Sequence, residues 1–243
     1  MNGRPRVLFL LNGPNRDPVD HIGRRFEAAG LDPDYRWAWQ DDFPADPHGY
    51  DAMFLSGSPH GAYEDVPFIH REHALVADVV DRGVPVLGVC FGSQMLASAL
   101  CGRDQVFRRS TCDVGHARLR STAAACEDRI ARHLPPRFPM FVWHNDEVRA
   151  EHPDMVILAS SDACPNQVWR FRDRPVWGIQ GHPEVNPESA RQWLEERRPR
   201  LARDGADVDA LIGDAGDVSA AETLFENFIA LVREHRGEAT PIG

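Results

Sequence analysis

A cysteine stands where an apolar run breaks into a glycine-flanked turn: Val84-Pro85-Val86-Leu87-Gly88-Val89-Cys90-Phe91-Gly92-Ser93-Gln94. Gly88 lies two residues before Cys90 and Gly92 two residues after it, the thiol counterpart of the G-x-S-x-G nucleophile elbow. Such an elbow needs glycines because the nucleophile's backbone is strained and its neighbours must leave room around it. The helix expected next presents its positive end to the sulfur, which favours the thiolate, and offers a free N–H to an oxyanion. A buried cysteine in a strand-to-helix turn is the plainer reading of the same residues.

A thiolate nucleophile needs an imidazole, and the imidazole needs an orienting carboxylate. Of the 11 histidines, His182 has the context: Val176-Trp177-Gly178-Ile179-Gln180-Gly181-His182-Pro183-Glu184. It follows a second apolar run, so it and Cys90 are expected at the carboxyl edge of one sheet, where open α/β sheets do their chemistry. Pro183 fixes the turn, and Glu184 is close enough in sequence to bond the ring. A third turn, Ser56-Gly57-Ser58-Pro59-His60-Gly61, ends another apolar run and can supply a second oxyanion N–H. A serine-type α/β hydrolase fits poorly, because its order is nucleophile, acid, histidine, whereas here the acid follows the histidine.

The elements that must position these groups alternate as in an α/β fold. Strands are expected at Val7–Leu11, Tyr35–Trp39, Ala52–Leu55, Val84–Val89, Phe138–Trp143, Val156–Ala159, Gln167–Phe171 and Val176–Gln180. Helices are expected at Pro18–Ala29, Phe68–Arg82, Ser93–Leu100, Pro187–Arg197 and Ala220–Arg236. The run Val84–Val89 is apolar on both faces, as a central covered strand should be. Arg197–Gly216, rich in Arg, Asp and Gly and nearly devoid of large apolar residues except Leu201, Leu211 and Ile212, reads as a surface excursion, and the tail after Arg236 is expected to fray. One domain over 1–243 is expected, with 196–243 a helical C-terminal extension of it.

Composition narrows the chemistry. The 243 residues carry 27 Lys+Arg against 37 Asp+Glu, and all 27 basic residues are Arg. Without Lys there is no phosphate-loop lysine, no pyridoxal Schiff base and no kinase-type strand lysine. A net charge of −10 argues against general nucleic-acid or anionic-membrane binding. Cys90, Cys101, Cys112, Cys126 and Cys164 form no C-x-x-C pair, so no zinc ribbon or thioredoxin-type motif is indicated. The N-terminal apolar run stops at Asn12-Gly13-Pro14, too short for a secretory core or a membrane span, and a cytoplasmic setting is expected. His70 and His73 read as a solvated helix face. So do Arg197, Arg198, Arg200 and Arg203 among Glu195, Glu196, Asp204 and Asp207.

Taken together, SGSP, GVCFGSQ and GIQGHPE, in this order and spacing, resemble the class I (triad-type) glutamine amidotransferase family from about Val7 to Trp193. The resemblance implies a flavodoxin-like α/β fold, a mostly parallel central sheet flanked by helices. It implies a Cys90–His182–Glu184 triad and an oxyanion hole from the backbone of Ser58 and Phe91, next to Gly57. Gln94 matches the family's C-x-G-x-Q glutamine and would hold the glutamyl end of the substrate. The segment with His144, Asn145 and Asp146 resembles the family's SHGD-type loop, whose backbone contacts the glutamyl α-amino and carboxylate groups. No metal and no cofactor are implied.

Two departures stand out. Gly57-Ser58 replaces a common glycine pair, and Gly181 replaces a bulky aromatic, which is expected to widen the pocket beside His182. SGSPH and IQGHPE look most like stand-alone γ-glutamyl peptidases and GMP synthase-like stand-alone proteins. The implied reaction is cysteine-dependent hydrolysis of a γ-glutamyl amide, in glutamine or a γ-glutamyl conjugate, through a γ-glutamyl thioester. If ammonia leaves, the chain is a glutaminase subunit. A separate synthetase chain must then receive the ammonia, since the residues beyond the resemblance are too few for such a domain. If an amine or peptide leaves, the chain is a self-sufficient hydrolase. A catalytically silent binding or regulatory module on the same fold is the third reading.

Overall fold

The computed structural model describes residues 3–214 and 216–239. They form one sheet of nine strands: β1 (Arg6–Leu10), β2 (Asp32–Arg36), β3 (Ala52–Leu55), β4 (Val86–Val89), β5 (Val106–Ser121), β6 (Arg137–Val148), β7 (Met155–Ser160), β8 (Val168–Phe171) and β9 (Val176–Ile179). The spatial order is β2-β1-β3-β4-β9-β8-β7-β5-β6. From β2 to β9 the pairings are parallel, and from β9 to β6 they are antiparallel. The sheet is therefore mixed, and the expected parallel character belongs to the half that carries the chemistry.

That half is covered on both faces, which is why its strands are apolar throughout. Val86, Leu87 and Val89 are all buried. One face packs Phe9, Phe54 and Trp177 against Phe26 of α1 (Arg24–Ala28) and Phe225 and Phe228 of α7 (Ser219–Ala239). The other packs Leu8, Met53, Leu55 and Val86 against Phe68 and Val76 of α2 (Pro67–Asp81) and Met95 of α3 (Phe91–Cys101). Odd and even strand positions thus serve opposite cores, the period-2 signature of strands. Each fully buried large side chain contributes about 1.5–3 kcal/mol.

Several elements differ from expectation for visible reasons. The strand expected at Tyr35–Trp39 lies at Asp32–Arg36, and the chain turns into a short 3₁₀ segment at Ala38–Gln40. The helix expected at Pro18–Ala29 opens with a π-helical turn, Val19–Gly23, before α1. The long strand β5 was not expected, because its residues alternate between polar, exposed and half-buried positions. β5 pairs with β6, whose strand runs on to Val148 past the expected end, with a bulge in β5 between Arg108 and Asp113.

The excursion after Arg197 also has structure. After α4 (Pro187–Glu196) come α5 (Arg198–Arg203) and α6 (Val208–Gly213). Leu201 and Val208 are buried, and with Leu211 and Ile212 they pack on Phe141, Val185 and Leu194 in a third small core. Beyond Arg236 the helix continues to Ala239, and the rest of the tail lies outside the described residues. No described helix is long and apolar enough to cross a membrane.

Candidate active site

β1, β3, β4 and β9 run parallel and in register, so their carboxyl ends open onto one edge. There the chain turns into Asn12-Gly13 after β1, Ser56-Gly57-Ser58 after β3, Cys90 after β4 and His182 after β9. The alignment of edges explains why motifs about ninety residues apart meet. A single cleft of about 360 Å³ is lined by Cys90, His182, Glu184, Gly57, Ser58 and Gln94, among others.

Cys90 is held at φ 53°, ψ −110°, a region that side-chain-bearing residues avoid. Conformations of that kind cost about 1–3 kcal/mol and persist only where the surroundings impose them. Here the imposition is visible. The Cys90 N–H donates to Ile179 O (2.8 Å), and the Gln94 N–H to Cys90 O (3.1 Å), so strand ladder and helix meet at one residue. The flanking glycines are steric necessities. A Cβ on Gly92 would lie 2.2 Å from Leu55 O, and one on Gly88 would lie 2.4 Å from the Gly92 carbonyl.

His182 is fixed from three sides. Its backbone N–H donates to Phe141 O (2.7 Å), its Nδ1 lies 2.8 Å from Glu184 Oε1, and its ring meets Trp193 edge to face at 5.7 Å between centroids. With Nδ1 committed to Glu184, Nε2 is the nitrogen left for the sulfur. Burial disfavours the imidazolium, yet Glu184 and the Cys90 sulfur together outweigh it and hold His182 up at about 10. His182 therefore holds its proton beside the Cys90 sulfur.

The β3 turn comes close to both groups. A Cβ placed on Gly57 would lie 3.8 Å from Cys90 Cβ and 3.9 Å from His182 Cε1. Ser58 lines the cleft, and its Oγ accepts the His60 N–H (3.1 Å), which turns the hydroxyl onto its own loop. The Phe91 side chain lies in the core, 6.5 Å from Phe68 between ring centroids, so only its backbone can serve the cleft. As the first residue of α3, its N–H has no acceptor within the helix.

Gln94 donates Nε2 to Asp146 O (3.0 Å), which leaves Oε1 without a partner among the described residues. His144, Asn145 and Asp146 also line the cleft, but they lie within β6 and not on a strand-end loop. His144 is buried, with Nδ1 donating to Asp146 O (3.0 Å) and Nε2 3.3 Å from Asp113 Oδ2 across the β5–β6 pair. Asp146 accepts from Tyr63 Oη at 3.0 Å. The His144 and Asp146 side chains are thus engaged within the protein, with Asn145 between them on the strand.

One expectation is overturned. Gly181 does not widen the cleft: a Cβ there would meet Met140 Cε at 2.5 Å and Phe141 O at 2.9 Å. β6 fills the space that the missing side chain leaves, and Gly181 is buried away from the lining.

The sequence profile of the family described as glutamine amidotransferase class-I matches residues 19–198. The chain belongs to that family. It is 29% identical over 242 residues to the "GMP synthase [glutamine-hydrolyzing]" of Serratia proteamaculans, covering 96% of this chain and 42% of that protein. The Yersinia enterocolitica protein of the same description is 30% identical over 240 residues, with the same coverage. The chain thus spans 42% of the length of these relatives. A glutamine amidotransferase structure from Thermotoga maritima superposes with a TM-score of 0.78 at 23% identity, covering 96% of this chain and 99% of that one. A glutamine amido transferase from Methylobacillus flagellatus gives 0.75 at 23% identity, covering 100% and 98%.

Beyond the residues expected in an amidotransferase of this class, the cleft gains Trp193, Arg197, Arg200 and Arg108. Arg197 and Arg200 were read as solvated, but burial of Leu201 and Val208 swings α5 against the cleft mouth. Arg108 sits in the unexpected strand β5. Trp143 has its carbonyl 3.8 Å from Cys90 Sγ. Among the other cysteines, burial pushes the Cys101 thiol up to about 12 and raises Cys112 and Cys164 as well, which disfavours their thiolates.

Proposed function

We propose that the chain hydrolyses a γ-glutamyl amide bond by way of a γ-glutamyl thioester on Cys90. The observation that carries this reading is the strained Cys90 elbow facing His182, whose Nδ1 is held 2.8 Å from Glu184 Oε1. Cys90 thiolate attacks the γ-carbonyl carbon, and the electron pair moves onto the carbonyl oxygen. The N–H groups of Ser58 and Phe91 receive that oxyanion, at about 2.7–4 kcal/mol per donor. His182 protonates the leaving nitrogen as the C–N bond breaks. The neutral imidazole then takes a proton from water, whose oxygen attacks the thioester carbon; the C–S bond breaks, thiolate leaves, and the γ-carboxylic acid formed gives its remaining proton to solvent. Glu184 keeps the ring in the tautomer that both steps require. In this reading Gln94 Oε1 accepts from the substrate's α-ammonium group, and the β6 backbone at Asn145 and Asp146 meets the α-carboxylate.

A second reading has its own support. The relatives matched over 96% of the chain are described as glutamine-hydrolysing. Glutamine is then the substrate, and the ammonia passes to a synthetase.

The test is turnover by the purified chain of glutamine and of γ-glutamyl dipeptides, beside labelling with an electrophilic glutamine analogue. Labelling of Cys90, abolished in Cys90→Ser, is expected together with glutamate release. A chain that binds the analogue without covalent attachment and releases no glutamate is a silent module, and the hydrolase reading fails.

A further inference from the structure

The cleft is larger than a free amino acid needs, at about 360 Å³ within the size range of sites that enclose drug-sized ligands. Its unused part lies on a definite side. His182 protonates the leaving nitrogen in the reading above, so the leaving group departs past His182, while Gln94 and the β6 backbone at Asp146 are assigned there to the glutamyl end. On the His182 flank stands Trp193, against the imidazole, and Arg197 lies over two indoles, 5.5 Å from the Trp143 ring centre and 5.8 Å from that of Trp193. Stacking on aromatic faces fixes a guanidinium plane and leaves its in-plane donors free.

Most of those donors are uncommitted. Arg197 uses only Nη1 on the protein among the described residues, toward Glu196 Oε2 (3.2 Å) and Trp193 O (3.5 Å). Arg200, also on the lining, has only a loose contact to Asp204 at 3.9 Å. The acidic groups of the cleft are mostly occupied: Glu184 with His182, and Asp146 with Tyr63 and Arg108. Asp17, after β1, accepts among the described residues only from Asn15 (3.2 Å) and remains as the acidic exception.

Resting on the hydrolase reading above, we infer that Trp143, Trp193 and Arg197 form a leaving-group subsite for a carboxylate-bearing amine with a flat or apolar body. The preferred substrate class is a γ-glutamyl amino acid. The indoles take the body of the departing amino acid, and Arg197, with Arg200 behind it, takes its carboxylate. Ammonia from glutamine uses none of these contacts, so the subsite makes a γ-glutamyl peptide the better substrate.

The experiment compares γ-glutamyl-phenylalanine with its C-terminal carboxamide, which differ only in that charge, and includes glutamine. An ionic hydrogen bond is worth about 1.5–3 kcal/mol, so kcat/KM for the carboxylate should exceed that for the carboxamide by about tenfold or more. Arg197→Gln should bring this ratio to within about twofold of unity, and Arg197→Lys, which keeps the charge but not the plane, should leave an intermediate ratio. Equal rates on the pair in the wild-type protein overturn the inference, as does an unchanged ratio in Arg197→Gln. Should Arg197→Gln lose its near-ultraviolet circular dichroism, the wild-type pair and Arg197→Lys still decide. Turnover of glutamine with none of either dipeptide overturns the subsite and leaves the hydrolase standing, whereas turnover of none of the three overturns both.

Discussion

Asn12 Nδ2 donates to Glu72 Oε1 at 3.0 Å, joining the loop after β1 to the middle of α2 in a place closed to water. The remaining oxygens, Asn12 Oδ1 and Glu72 Oε2, are buried without a partner among the described residues. A proton on Glu72 removes a buried charge and supplies a donor where one is missing. Burial accordingly holds this carboxyl up at about 8, against the single Asn12 hydrogen bond that favours ionisation. Asn12 also ties to Ser56 through its backbone N–H (2.9 Å), so the pair braces the turn that leads to Gly57.

The sign of the consequence is fixed. The folded chain keeps the proton up to about pH 8, whereas the unfolded chain loses it near 4.5. The contribution of Glu72 to stability is thus fully present below about pH 4.5 and is lost as pH rises to about 8. Glu72→Gln, isosteric and neutral, removes that loss and should gain a few kcal/mol relative to wild type at pH 8, with little difference at pH 4.5. Urea denaturation of both proteins at the two pH values measures it. Parallel curves with a constant offset would falsify the assignment.

The backbone of Cys90 yields a reversal of the usual order. Glycine ordinarily destabilises a structured position relative to alanine by about 0.5–1 kcal/mol. At φ 53°, ψ −110° only glycine is unstrained, so Cys90→Gly should be more stable than Cys90→Ala by about 1 kcal/mol or more. Both variants lack the sulfur and should be inactive, which separates the cost of the elbow from its use. Thermal unfolding of the two variants decides, and an alanine variant equal to or above the glycine variant contradicts the strain.

The residues that speak for themselves in the sequence are those at the ends of apolar strands. Cys90, His182 and the Gly57-Ser58 turn are legible because burial on both faces makes β3, β4 and β9 conspicuous and parallel pairing puts their ends together. Arg108 is not legible, since β5 is polar at the edge-ward end of the sheet and its only signal is its pairing with β6. Arg197 and Arg200 sit among acids in a pattern that ordinarily marks solvent. Their place at the cleft follows from the apolar packing of α5 and α6 on β6 and α4, which no local pattern announces. Gly181 misleads in another way: a missing side chain reads as room, and in the fold Met140 occupies it.

His182 should titrate far above a free imidazole, near 10, with the ring cationic at neutral pH. Glu184 and the Cys90 sulfur are what hold the proton there against burial. Removing either anion weakens the cationic form, so Cys90→Ala and Glu184→Gln should each lower the titration midpoint. Imidazole nitrogen shifts recorded by NMR across pH 5–11 give the value in each protein. A midpoint unmoved in Cys90→Ala would show that the sulfur does not face Nε2 as an anion.

Gly181 and Gly92 offer a graded pair. An added methyl at Gly92 meets Leu55 O at 2.2 Å, which is strand backbone and cannot yield without displacing β3 from α3. At Gly181 the nearest atom is Met140 Cε at 2.5 Å, the end of a flexible side chain, with Phe141 O behind it at 2.9 Å. Phe141 O is also the acceptor that holds the His182 N–H. Gly181→Ala should therefore fold with a loss of about 1–3 kcal/mol and shift His182 enough to cost about tenfold in kcat, while KM changes little. Gly92→Ala should fail to yield folded protein. Purification yield, unfolding midpoint and the kcat and KM of Gly181→Ala check the ranking. A Gly181→Ala protein with unchanged kcat would mean that β6 gives way at Met140 alone and that the Phe141–His182 contact does not govern the histidine.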